Sequence, residues 1–194
     1  MRIFLAGASG VLGVRLVPLL VTKGHVVAGM TRTPGKVERL RALGAEAVVG
    51  DVYDAVALRE AVTAFRPELV MHQLTDLPDD ETSLANAVDA NARIRREGTR
   101  NLLAAAEGAG AQRFLAQSVA WELRGGGGAA KEELERAVLG LGGVVLRYGR
   151  FYGSGTYHAE PPDPPRIQID EAARRTAALL DAPSGIVEIV ETDV

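Results

Sequence analysis

The chain has 194 residues, 47% hydrophobic and 24% charged, an ordinary globular composition with enough length for a substantial buried core. Its formal net charge of -3 gives no long-range attraction for nucleic acid or an anionic membrane, and the absence of cysteine excludes disulfides, thiolate metal sites and a cysteine nucleophile. His25, His72 and His158 show no metal-ligand spacing, and no apolar run nears the ~20 residues of a membrane-spanning helix. The start lacks a signal peptide's apolar stretch. One cytoplasmic domain over 1–194, without a metal, is the expectation.

In chain order, Ile3–Ala6 reads as a buried strand, followed by a glycine turn and a helix through Val11–Val21. His25–Met30 predicts a second strand, and a helix through Val37, Leu40 and Leu43 follows Pro34 and stops at Gly44. A third strand at Ala47–Val49, a helix at Ala55–Phe65 and a fourth strand at Leu69–Met71 continue the alternation. A long helix is predicted from about Ser83 to Glu107. Strands at Phe114–Gln117 and Val144–Leu146 flank a helix at Ala130–Leu139, making six. After two segments read as flexible, the glycine run near 124–129 and the stretch 156–166 with its stiff, extended proline run Pro161–Pro165, Asp170 is a candidate helix cap and Ile186–Val190 a last strand. Strict strand–helix alternation with short connections predicts an α/β fold: a doubly wound parallel sheet of Rossmann type in three αβα layers.

The loop Gly7-Ala8-Ser9-Gly10-Val11-Leu12-Gly13 sits between strand and helix, the context in which such a motif binds a dinucleotide. One glycine permits the tight turn, the next lets backbone approach a pyrophosphate, and Gly13 brings the helix close to the sheet. The helix N-terminus offers free N–H groups to phosphates. At the end of the second strand no acidic residue awaits a ribose. Instead Met30-Thr31-Arg32-Thr33 supplies Arg32, whose planar fork suits a 2'-phosphate, so NADP is favoured and NAD stays open. His72 reads as a hydrogen-bonded structural histidine, Tyr148 and Tyr152 mainly as packing residues, and Arg93, Arg95, Arg96 and Arg100 as a solvated helix face rather than a nucleic-acid surface.

The loop, together with Gly50-Asp51-Val52, Val70-Met71-His72-Gln73-Leu74, Asn91, Gly98-Thr99-Arg100-Asn101-Leu102-Leu103, Arg113–Ser118 and Leu146–Gly153, resembles the NAD-dependent epimerase/dehydratase family of short-chain dehydrogenases/reductases. The resemblance implies cofactor contacts at Gly7, Ser9, Gly10, Val11, Leu12, Gly13, Arg32, Asp51, Val52, Gln73, Leu74 and Tyr148. It implies a catalytic Ser, Tyr and Lys, the lysine lowering the phenol's pKa. Ser118 and Lys131 match two of these roles. Gly127 stands where the tyrosine is expected and Val119 where the second serine is. The family's substrate lobe is largely absent between Gly155 and Arg166, and Ile167–Ala173 resembles the segment that rejoins the fold. Two functions remain open: hydride transfer to a small carbonyl, hydroxyl or sugar-nucleotide substrate, or noncatalytic sensing of NADP(H) through a protein partner. A homodimer through helix 83–107 is the family expectation.

Overall fold

The computed structural model describes residues 1–78 and 81–192. Nine strands and seven α-helices alternate among these residues: β1 (Arg2–Ala6), α1 (Gly13–Thr22), β2 (Val26–Thr31), α2 (Val37–Ala42), β3 (Glu46–Val49), α3 (Ala55–Phe65), β4 (Leu69–His72), α4 (Val88–Arg93), α5 (Thr99–Gly108), β5 (Arg113–Val119), α6 (Gly125–Gly140), β6 (Val144–Tyr148), β7 (Arg150–Tyr152), β8 (Arg166–Gln168), α7 (Ile169–Thr176) and β9 (Gly185–Ile189). Seven strands form one sheet in the order β3-β2-β1-β4-β5-β6-β9, every neighbouring pair parallel. The fold is therefore the doubly wound three-layer αβα form. No helix among the described residues is long and apolar enough to cross a membrane.

The central strand shows why the sequence needs helices on both faces. Ile3 and Leu5 of β1 join a core with Leu16 and Leu20 of α1 and Ala172 and Ala173 of α7, whereas Phe4 and Ala6 join a second core with Leu58 of α3, Leu102 of α5 and Leu134 of α6. Alternate residues of one apolar run thus face opposite layers, as a parallel strand requires. The strand order reverses between β1 and β4, which opens a crevice beyond their C-terminal ends.

Four expectations change. The helix expected at 83–107 is broken into a 3-10 turn (Glu81–Ala87), α4, a π turn (Ile94–Gly98) and α5. The π turn is wider than an α turn and breaks the 3.6-residue side-chain phase, so one helical face does not run its length. The glycine run 124–129, read as flexible with a helix beginning only at Ala130, instead holds the first turn of α6, which starts at Gly125. A Cβ at Gly128 would lie 2.4 Å from the Leu123 carbonyl oxygen, a close approach that glycine permits. The cap of α7 is Gln168, whose side chain accepts from the Glu171 N–H, while Asp170 reaches Arg15 of α1 at 2.6 Å. A small parallel pair, β7–β8, also escapes the sequence reading. It is braced through proline carbonyls: Arg166 donates to Pro162 O at 3.0 Å, and Arg150 to Pro164 O at 3.2 Å.

His72, the last residue of β4, is wholly buried. Its Nδ1 accepts from the Leu74 N–H at 3.2 Å, leaving Nε2 to donate to the Thr99 hydroxyl at 3.1 Å. Burial, helped by the charge of Arg95, lowers its pKa to about 4. A group held neutral in this way stabilises the fold fully above its unfolded pKa of ~6.5, and the contribution is lost as pH falls toward the folded value. We predict an acid loss on the order of 3 kcal/mol from this residue alone. Urea midpoints measured at about pH 7 and about pH 4.5 should diverge less for His72→Gln than for the wild type. Equal divergence would contradict the assignment.

Candidate functional site: the crevice where the strand order reverses

The glycine loop enters this crevice directly from β1. Gly7 has φ +92°, and a Cβ there would meet the Gln73 carbonyl oxygen at 2.5 Å. A Cβ on Gly13 would meet the Gly7 oxygen at 2.3 Å. Only glycine lets the β1 turn, the β4 end and α1 close on one another. The turn is held by Gly10 N–H to Gly7 O at 3.1 Å and Ala8 N–H to Met30 O at 3.2 Å, while the Ser9 hydroxyl pairs with Thr31 Oγ1 at 2.8 Å. Leu12 caps α1 without a side-chain hydrogen bond, and the N–H groups of Val11 and Leu12 have no partner among the described residues. Free amides at the positive end of a helix, with no side chain over Gly10, form a cradle for a pyrophosphate. The loop thus fits the diphosphate of a dinucleotide.

On the side of β2 and β3, Arg32 donates to Asp76 Oδ1 at 2.6 Å. The Tyr53 hydroxyl approaches Asp76 Oδ2 at 3.4 Å, and the Arg93 guanidinium lies 3.9 Å from the Tyr53 ring centroid. Asp51 accepts from the Tyr53 N–H at 2.9 Å, so its carboxylate shapes the turn that presents Tyr53. Val52 is buried, and its carbonyl accepts from Asn101 at 2.9 Å. Tyr53 and Asp76 escaped the sequence reading. Asp76 lies only four residues past β4, and its position just beyond the β4 motif was the available signal.

The other side of the crevice departs further from expectation. Gln73 donates to the Tyr148 hydroxyl at 3.4 Å, and the Leu74 carbonyl accepts from Gln117 at 2.7 Å. Tyr148 is 2% exposed, its hydroxyl also bonded to Thr176 Oγ1 at 2.8 Å. Burial pushes that phenol's pKa well above the ordinary tyrosine value. The Tyr152 hydroxyl donates to Glu191 at 2.5 Å. Ser118 is buried and turned toward α6, donating to Glu135 Oε1 at 2.6 Å, and Glu135 also takes both arms of Arg147 at 3.0 and 2.7 Å. Glu135, one helical turn beyond Lys131, is the central residue of this network, and no motif in the sequence singles it out. Lys131 donates to the Trp121 carbonyl at 3.1 Å, and burial with Arg147 and Arg95 nearby holds its pKa below the usual lysine value. Ser118 of β5 bonds Glu135 of α6, the helix that carries Lys131, while Tyr148, in register with Val119 on the neighbouring strand, commits its hydroxyl to Gln73 and Thr176 instead.

A glycine cradle at the reversal point of a doubly wound sheet defines a dinucleotide-binding Rossmann protein. The chain belongs to the NAD(P)H-binding family, whose model matches residues 7–137. It is 38% identical over 183 residues to a 3-diazoavenalumate denitrifying reductase of a Streptomyces species, covering 82% of this chain and 59% of that protein. It is 30% identical over 114 residues to a 3-beta-hydroxysteroid dehydrogenase of Mycolicibacterium neoaurum, covering 59% of this chain and 31% of that one. The chain thus spans less than two thirds of each of these two relatives. The UDP-glucose 4-epimerase of Thermus thermophilus, solved with NAD, superposes with a TM-score of 0.81 at 20% identity over 100% of this chain and 78% of the other, a likeness of fold.

Glu135 yields a direct test of the buried network. Burial raises its pKa, but hydrogen bonds from Arg147 and Ser118 outweigh burial and leave it lowered. Its contribution is therefore complete above the ordinary carboxyl range and lost as pH falls through the folded value. Glu135→Gln is expected to cost roughly 1.5–3 kcal/mol near neutral pH by urea unfolding. It should also flatten the acid limb of stability. A variant as stable as the wild type would contradict this account.

Proposed function

We propose that the chain is an NADP(H)-dependent reductase that transfers hydride between the nicotinamide and a small carbonyl compound. The observation that carries this reading is the pair of unpartnered Val11 and Leu12 amides in a cradle that a side chain at Gly7 or Gly13 would destroy. A relative that is 38% identical and covers 82% of this chain is named a reductase, which supports the reaction class. When bound, the cofactor supplies the hydride. The chain's own residues anchor the diphosphate through the α1 amides, hold the adenosine end through Arg32 and the Tyr53 turn, and offer a proton from Lys131. That amine uses one donor on the Trp121 carbonyl and keeps others free.

For the choice of NADP, Arg32 is the deciding group. Its guanidinium is more than half exposed and held by Asp76, so a 2'-phosphate must take the place of that carboxylate. Exchange of one anion for a doubly charged one on the same fork is favourable for the phosphate, with Asp76 opposing it by like charge.

Three variants test the reading in one binding experiment with NADPH and NADH. Wild type should prefer NADPH by roughly tenfold to a hundredfold, the equivalent of a charge-assisted pair of about 1.5–3 kcal/mol. Arg32→Ala should weaken NADPH and leave NADH almost unchanged, whereas Asp76→Asn should tighten NADPH. Gly10→Val should weaken both. Equal binding of NADPH and NADH by wild type, or equal weakening of both by Arg32→Ala, would contradict the NADP assignment.

A further inference from the structure

The four arginines of residues 93–100, which the sequence reads as one solvated face, have separate fates. Arg93 pairs with Glu97 at 2.7 Å, Arg96 pairs with Glu133 at 2.9 Å, and Arg100 is exposed. Arg95 is 8% exposed and makes no hydrogen bond or ion pair with a described residue. It sits on the π turn, where the broken helical phase turns it away from its neighbours' solvated face, and that turn packs against α6.

The surroundings do not neutralise it. Glu135 is the buried carboxylate facing this region, and its oxygens are already committed to Ser118 and to both arms of Arg147. Lys131 lies one helical turn before Glu135 on the same helix. Arg95 and Lys131 are thus within electrostatic reach of the one carboxylate that Arg147 already holds, while Glu122 and Glu188, which act on Lys131 and Arg147, are exposed. A buried cation without a partner is costly, and proteins retain one where an anion completes it. Among the described residues no fully enclosed side-chain nitrogen lacks a partner, so the guanidinium's donors reach solvent rather than a sealed interior.

We propose that Arg95 and Lys131 form a subsite for the carboxylate of an anionic substrate, so that the compound reduced is a small organic acid. Arg95 offers a planar fork for two oxygens and Lys131 a point charge. The inference rests on the reductase reading above and names its substrate class.

Trp121, the sole tryptophan, holds Lys131 through its carbonyl, so its fluorescence reports on this position. The full chain, with and without NADPH, is titrated with 3-phenylpropionate, the neutral 3-phenylpropionamide and phenyl phosphate. The expected result is saturable quenching by the carboxylate, with the amide and the phosphate weaker by about tenfold or more. Arg95→Gln should lower carboxylate affinity and leave the amide unchanged, Lys131→Met should lower carboxylate affinity, and Arg95→Lys should restore part of what Arg95→Gln loses. NADPH binding by Arg95→Gln, measured separately, establishes that this variant folds. No saturable response to the acid, equal binding of acid and amide, preference for phenyl phosphate, or wild-type acid affinity in both Arg95→Gln and Lys131→Met would overturn the subsite. Carboxylate preference in a chain that binds no NADPH would overturn the reductase reading and leave the subsite standing. NADPH binding without that preference would do the reverse.

Discussion

The structure depends on how closely three backbone segments approach where the sheet reverses its strand order. Gly7, the Gln73 carbonyl and the first turn of α1 are packed so tightly that a single Cβ at Gly7 or Gly13 would occupy backbone space. This closeness fixes where α1 leaves the sheet, and so sets the free Val11 and Leu12 amides at the helix N-terminus beside the crevice. Arg15, one turn later, reaches Asp170 of α7 and the Ser154 carbonyl beyond β7, both at 2.6 Å, and ties the glycine loop to the far end of the chain. The local demand for glycine and the global order of the layers are one constraint.

The second organising feature is electrostatic. Charges lie on both sides of the crevice with different degrees of freedom. Arg32 and Asp76 form a pair open to water, where screening keeps the attraction modest and an incoming anion can exchange. Glu135 and Ser118, both buried, and the partly exposed Arg147 form a more enclosed set on the side of α6, where loss of either charged member leaves the other uncompensated. The exchangeable pair suits recognition, and the enclosed set suits fixing the positions of β5, β6 and α6 relative to one another.

What the sequence made legible follows from which physics is local. The apolar run Ile3–Ala6, the glycine loop and the alternation of strand and helix depend on near neighbours, and these are found where the residues predict them. The breaks are where distant parts intervene. The π turn at Ile94–Gly98 sits where Gly98 packs on Val52 of the β3–α3 connection, a contact that helical periodicity cannot reveal. The glycine run 124–129 has the composition of a connection, yet the Leu123 carbonyl pressed on Gly128 lets it start α6. For the site, positions of glycine-loop residues could be read from spacing. The commitments of Ser118 to Glu135, Arg32 to Asp76 and Tyr148 to Thr176 link residues 17, 44 and 28 positions apart, and no motif carries them.

The central claim is that the crevice beside the glycine loop binds a nicotinamide dinucleotide through backbone amides. Amide proton and nitrogen chemical shifts, followed by NMR as NADPH is added to the labelled chain, test it most directly. The account predicts the largest changes at Ser9, Gly10, Val11, Leu12 and Gly13, with a second group at Arg32, Tyr53 and Gln73. Changes confined to other surfaces, or an unchanged glycine loop at saturating NADPH, would contradict it.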